Sequence, residues 1–71
     1  MDIIRDIDSA ENGKDAEKKR KFWASKITNL GAEKIAGASI RRVNKNDWRV
    51  DLFLYVDRNS SEFKDFMRRF R

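Results

Sequence analysis

The sequence predicts an α+β fold, in which two amphipathic helices pack on one face of a small, mainly antiparallel sheet in the order β-α-β-β-α. Three patterns predict it: apolar stripes at helical spacing in residues 16–30 and 63–70, and strict alternation in residues 48–56. The chain has 71 residues, no proline, no repeat and no glycine-rich linker. We therefore expect one small domain over residues 1–71.

The first strand and first helix are predicted from residues 2–31. Isoleucines in residues 2–8 fit an edge strand or a single helical turn, and we favour the strand. Asn12-Gly13 signals a turn, and Asp15 is the expected helix N-cap. The helix is predicted over Ala16–Leu30, because its apolar residues share one stripe and Gly31 follows as a left-handed stop.

A hairpin is expected in the middle of the chain. Ile35–Val43 has the small and β-branched residues of a strand, and Gly37 within it indicates a bulge or close packing. Asn44–Asp47 is polar and short enough for a hairpin loop. The second strand, Trp48–Val56, alternates between a core row and an outward row. The core row is Trp48, Val50, Leu52, Leu54 and Val56, and the outward row is Arg49, Asp51, Phe53 and Tyr55.

The last helix should begin near Asn59, since Asn59 and Glu62 form a variant of the capping box. Its apolar stripe consists of Phe63, Phe66, Met67 and Phe70. If both helices cover the Trp48 side of the sheet, the outward row has no helical cover.

Charge is segregated along the chain. Residues 1–17 carry six acids and two bases, whereas residues 18–45 carry nine bases and one acid, and the whole chain has a net charge of +5. Such a dipolar chain attracts polyanions. The expected partner is therefore nucleic acid or an acidic protein surface.

The expected nucleic-acid-binding residues fall in two groups. The helix supplies Lys18, Lys19, Lys21 and Lys26 with Phe22 among them, and the hairpin supplies Arg41, Arg42, Lys45 and Arg49 around its tip. Lysines would neutralise phosphates while the Phe22 ring stacks on a base or sugar. The alternatives are that Phe22 widens the core stripe or packs under the N-terminal segment, that the lysines are a solvated face, and that the arginines protect a sheet edge from aggregation.

Phe53 and Tyr55 are candidate interface residues on the outward row. They suggest an aromatic platform for bases, or burial against the N-terminal segment, or a homodimer contact. The chain has no cysteine and no histidine, and we expect no metal, no cofactor and no catalysis. The carboxylates Glu33, Asp47, Asp51 and Asp57 show no spacing that fixes a catalytic geometry.

Without a long apolar run or a signal-peptide pattern, a cytoplasmic location and no membrane contact are expected. The function we favour is a small basic nucleic-acid-binding protein, provided that the helix lysines and the hairpin arginines form one cationic patch. The alternative is a protein–protein interaction module, such as a phage-type inhibitor or regulator of a host enzyme.

Overall fold

A computed structural model describes residues 2–70 of the chain. The elements are β1 (Asp2–Ala10), α1 (Gly13–Asn29), β2 (Ala36–Asn44), β3 (Asp47–Leu54) and α2 (Ser61–Phe70). This order confirms the α+β fold class, and it confirms that the first segment is a strand. Neither helix within residues 2–70 is long and apolar enough to cross a membrane.

The sheet has three strands in the order β1-β3-β2, and both neighbours run antiparallel to the central strand β3. Leu54 at the end of β3 lies opposite Asp2 on one side and Ala36 on the other. The connection between β2 and β3 is a turn of only two residues, Lys45 and Asn46, which is shorter than the predicted loop. β1 and β2 are therefore the two edges of the sheet.

The core lies on one face of the sheet, under both helices. Val50, Leu52 and Leu54 of β3 are fully buried there. The helices bury Ala16 and Ile27 from α1 and Phe66 and Phe70 from α2. Most of the predicted core row of β3 is confirmed, but Trp48 is only half-buried and Val56 lies beyond the end of the strand.

The two helices begin at caps other than those predicted. Asn12, with an extended backbone, is the N-cap of α1, because its Oδ1 accepts the Asp15 N–H at 2.8 Å. Ser60 is the N-cap of α2, since its Oγ accepts the Phe63 N–H at 3.1 Å. The predictions of Asp15 and Asn59 as caps are therefore wrong. Gly31 ends α1 at φ +67°, as predicted.

β1 carries an irregularity that separates its two ends. Ile4 lies opposite Leu52 and Asp8 lies opposite Val50. Between these two pairs, β1 therefore contains two more residues than β3. Asp6, inside it, has φ +61°. The irregularity lets Ile7 pack against the core while the Asp6 carboxylate reaches the uncovered face of the sheet, where it meets Arg41.

Candidate functional site

The most exposed aromatic ring outside the sheet belongs to Phe22 of α1, with 59% of its surface accessible. Its neighbour Trp23 turns toward the protein and meets the Phe22 ring edge to face, with 5.2 Å between ring centroids. Successive helical residues point about 100° apart, so when Trp23 packs inward Phe22 must point outward. The alternative that Phe22 widens the core is therefore wrong.

Two lysines lie one helical turn on either side of Phe22. Lys18 is exposed, and the Lys26 ammonium lies 5.1 Å from the centroid of Trp23 and 5.3 Å from that of Phe70. Within residues 2–70, neither lysine has a carboxylate within 4 Å. We call Lys18, Phe22 and Lys26 the α1 flank. It presents two unneutralised cations beside an exposed ring.

Lys19 and Lys21 are placed differently from the α1 flank. Lys19 reaches β1, where its ammonium donates to the Ser9 carbonyl at 2.5 Å and lies 3.5 Å from the Asp8 carboxylate. Lys21 is exposed, but it points about 100° away from its neighbour Phe22. The charge of Lys19 is thus paired with Asp8, and Lys21 lies outside the flank.

The strand register separates the basic residues of the hairpin. Arg41 lies opposite Arg49 and shares the uncovered face with it. Arg42 lies opposite Trp48 on the helical side, with its guanidinium 5.8 Å from the Trp48 ring centroid. Lys45 is exposed in the turn. Because neighbouring residues of a strand point to opposite faces, these four do not form one group.

The two arginines on the uncovered face are held by aspartates. Arg41 lies 3.0 Å from Asp51 and 2.7 Å from Asp6. Arg49 lies 2.7 Å from Asp47 and 3.8 Å from Asp6. The positive charge of Arg41 and Arg49 is therefore neutralised locally.

Asp51 anchors this cluster. Arg41 of β2 donates to it at 3.0 Å, and the Arg5 guanidinium of β1 lies 3.9 Å from it. The Asp51 side chain is nearly inaccessible, and it also accepts the Asp6 N–H at 2.9 Å. Burial raises the pKa of Asp51, but the hydrogen bonds from Arg41 and Asp6 outweigh it and hold the pKa below its ordinary value. The hydrogen bond from Arg49 likewise lowers the pKa of Asp47. Both carboxylates are thus partners of arginines.

The expected single patch of helix lysines and hairpin arginines does not form among residues 2–70. A cleft of about 530 Å³ separates the first half of α1 from the hairpin turn, and Lys18 and Lys19 line it together with Asn46 and Asp47. Glu11 and Asp15 also line this cleft. The α1 flank thus adjoins the hairpin turn across a surface of mixed charge. The hairpin arginines on the uncovered face are neutralised.

Phe53 and Tyr55 lie on the uncovered face, as their alternation predicts. Phe53 is half-buried, with Ile3 opposite it on β1 and Gly37 opposite it on β2. Tyr55 is 55% exposed, and its hydroxyl would lie 2.8 Å from a Cβ placed on Gly37. Gly37 therefore marks close packing, which was one of its two predicted roles.

A groove beside the α1 flank was not predicted from the sequence. It measures about 240 Å³, and we call it the aromatic groove; it is lined by Ile4, Ile7, Trp23, Lys26, Met67 and Phe70. The Trp23 and Phe70 rings stack in it, with centroids 5.1 Å apart and planes 24° apart. The apolar spacing assigns these residues to the core, and no sequence signal shows that β1, α1 and α2 leave an opening between them.

Comparison of the chain with models of protein families, with curated proteins and with solved structures finds no match.

Proposed function

We propose that this chain is a small, non-enzymatic nucleic-acid-binding protein of the cytoplasm that uses the α1 flank. Lys18 and Lys26 neutralise phosphates, and the ring of Phe22 stacks on a base or sugar. The single observation that supports this is the exposed Phe22 ring between two lysines without carboxylate partners in residues 2–70. An exposed ring beside cations offers a stacking face next to groups that bind phosphate, which is the combination that single-stranded nucleic acid uses.

The remaining basic residues have secondary places in this proposal. Lys19, Lys21, Arg42 and Lys45 add to the positive charge of the molecule without forming part of the flank. Arg41 and Arg49 contribute little, because Asp6, Asp47 and Asp51 already neutralise them. The interface is thus smaller than the sequence predicts, and we expect weak, non-specific and strongly salt-dependent binding.

The test compares two double variants that change the net charge equally. Lys18→Glu with Lys26→Glu removes the cations of the flank, whereas Lys64→Glu with Arg68→Glu changes exposed residues of α2. We expect the wild type to lose affinity for an oligonucleotide steeply as salt rises. The flank variant should flatten the slope of log K against log salt by roughly 1.5, because two phosphate contacts are lost.

The α2 variant should keep a slope close to that of the wild type. Equal weakening of both variants would show that only net charge matters, and it would contradict binding at the flank. Wild-type affinity that does not change with salt would contradict nucleic-acid binding as a whole.

A second candidate function is protein docking through the uncovered sheet face, as in a regulator or inhibitor of another protein, or in a homodimer. The exposed ring of Tyr55 beside half-buried Phe53 favours it, since aromatic side chains dominate many interfaces. Tyr55→Ser should abolish retention of a partner protein in nuclease-treated lysate, or lower the sedimentation coefficient if the partner is a second copy. Unchanged retention and unchanged sedimentation would exclude this face.

A further inference from the structure

We infer that the aromatic groove receives one unstacked base, so that the protein prefers single-stranded nucleic acid to a duplex. This inference rests on the proposed function, and it names the substrate class of that site. The groove and the α1 flank share Lys26, whose ammonium lies over two of the groove's rings. A strand that contacts the flank therefore passes the opening of the groove.

Aromatic rings form a continuous path from solvent into the groove. Phe22 meets Trp23 edge to face, and Trp23 stacks on Phe70 at 5.1 Å. Among the described residues 2–70 that line the groove, Lys26 is the one with a charged side chain. An aromatic, uncharged group that carries an anionic phosphate next to it matches this arrangement, because the ring meets half-buried Trp23 while the phosphate meets the ammonium. Phe70 is 4% exposed and supports Trp23 from behind.

The size of the groove limits what can enter. At about 240 Å³ it is smaller than the roughly 300–1,000 Å³ of sites for drug-sized ligands, so it suits a single ring system. A base within a duplex hides its faces in the stack and cannot enter. The free energy needed to expose one base is much lower in a single strand than in a duplex.

The groove has little means to distinguish one base from another. The Trp23 Nε1–H already donates to Asp8 at 3.0 Å, and the other side chains of the lining are apolar except Lys26. Base edges therefore meet few hydrogen-bonding groups, and every base has a ring face that can stack. We expect weak sequence preference together with clear preference for single strands.

The test uses the fluorescence of Trp23. The sequence has two tryptophans, so Trp48→Phe leaves Trp23 as the sole reporter. In this background, a thymidine oligonucleotide should quench Trp23 and bind about tenfold more tightly than an abasic oligonucleotide of the same length and charge. The corresponding duplex should bind without quenching Trp23.

A variant that fills the groove distinguishes binding of a base in the groove from stacking on the exposed ring of Phe22. Met67→Phe should remove the quenching of Trp23 and reduce the preference for bases over abasic sites to what stacking on Phe22 supplies, yet keep the salt dependence. The control Val43→Phe adds a ring at an exposed position of β2 and should keep all three properties.

The outcomes distinguish this inference from the proposed function. Quenching of Trp23 by the abasic strand as strong as that by the thymidine strand, or quenching that survives Met67→Phe, would overturn entry of a base into the groove and leave binding at the flank intact. No binding of any oligonucleotide would overturn the proposed function and this inference with it.

Discussion

Asp51 shows how a single buried carboxylate organises the uncovered face of the sheet. It is 4% exposed, and its oxygens accept hydrogen bonds from Arg41 and from the backbone of Asp6. Asp6 presents its N–H from the left-handed region, which costs a non-glycine residue about 1–2 kcal/mol. The hydrogen bond to Asp51 helps to offset this cost, so the irregularity of β1 and the ion pair depend on each other.

Asp51→Asn should lower the free energy of unfolding at pH 7 by about 1–3 kcal/mol, because Arg41 then faces a neutral amide. The pKa of Asp51 is lower in the folded state than in the unfolded state. Its stabilising charge is therefore fully present above the unfolded pKa and is lost as pH falls through the folded pKa. The free energy of unfolding of the wild type, measured with urea, should fall from about pH 5 toward pH 2, and that of the variant should fall less.

Asp65→Asn is the matched control for Asp51→Asn, because it makes the same chemical change in an exposed helical pair with Arg69. It should change the stability by less than about 0.5 kcal/mol. If Asp51→Asn matched the wild type in stability at every pH, the ion pair with Arg41 would have no energetic role.

The start of each helix is set by one capping side chain. Each predicted cap lies close to the real one, but a cap is decided by which side-chain oxygen reaches a free N–H two or three residues later. Asn12 meets this condition for α1 and Ser60 meets it for α2. Several Asp, Asn and Ser residues precede both helices, so composition alone does not select among them.

Asn12→Ala and Ser60→Ala should each lower the free energy of unfolding by about 1 kcal/mol, because each leaves a helix N–H without its acceptor. Asn59→Ala removes the cap that the sequence predicts for α2 and should cost less than about 0.5 kcal/mol. Chemical denaturation of the three variants measures this order. A cost for Asn59→Ala equal to that for Ser60→Ala would contradict the assignment of Ser60.

At the scale of the whole molecule, α2 is attached to the rest of the fold by aromatic side chains. Phe66 and Phe70 are buried, and Phe70 stacks on Trp23 of α1. A chain of 71 residues has a small core and is expected to be only marginally stable. The same packing leaves two distinct surfaces, namely the α1 flank with its groove and the uncovered sheet face.

Phe66→Ala and Phe22→Ala should separate folding from binding. Phe66→Ala should cost about 3–5 kcal/mol and leave much of the protein unfolded, because it empties part of the core. Phe22→Ala should change stability by less than about 0.5 kcal/mol, since the ring is largely exposed, yet weaken oligonucleotide binding several-fold. Thermal circular dichroism and oligonucleotide titration measure the two effects. Equal loss of stability in both variants would place Phe22 in the core.

Much of the fold was predictable, because the decisive patterns are local. Alternation in β3 correctly separates Leu52 and Leu54 from Phe53, and Gly31 correctly ends α1. The candidate site was predictable only in part. The helix angle places Phe22 near Lys19 and Lys26, but Lys19 turns to Ser9 and Asp8 of β1. The aromatic groove needs three separate elements to meet.

The sequence by itself determined the order of the elements and the inward face of β3, because periodicity is a property of neighbouring residues. The tertiary structure decided which charges remain available. Arg41 is paired with Asp6, which lies 35 residues away and which strand pairing and the irregularity of β1 bring to it. Ion pairing depends on register between distant segments, and no local pattern in the sequence specifies that register.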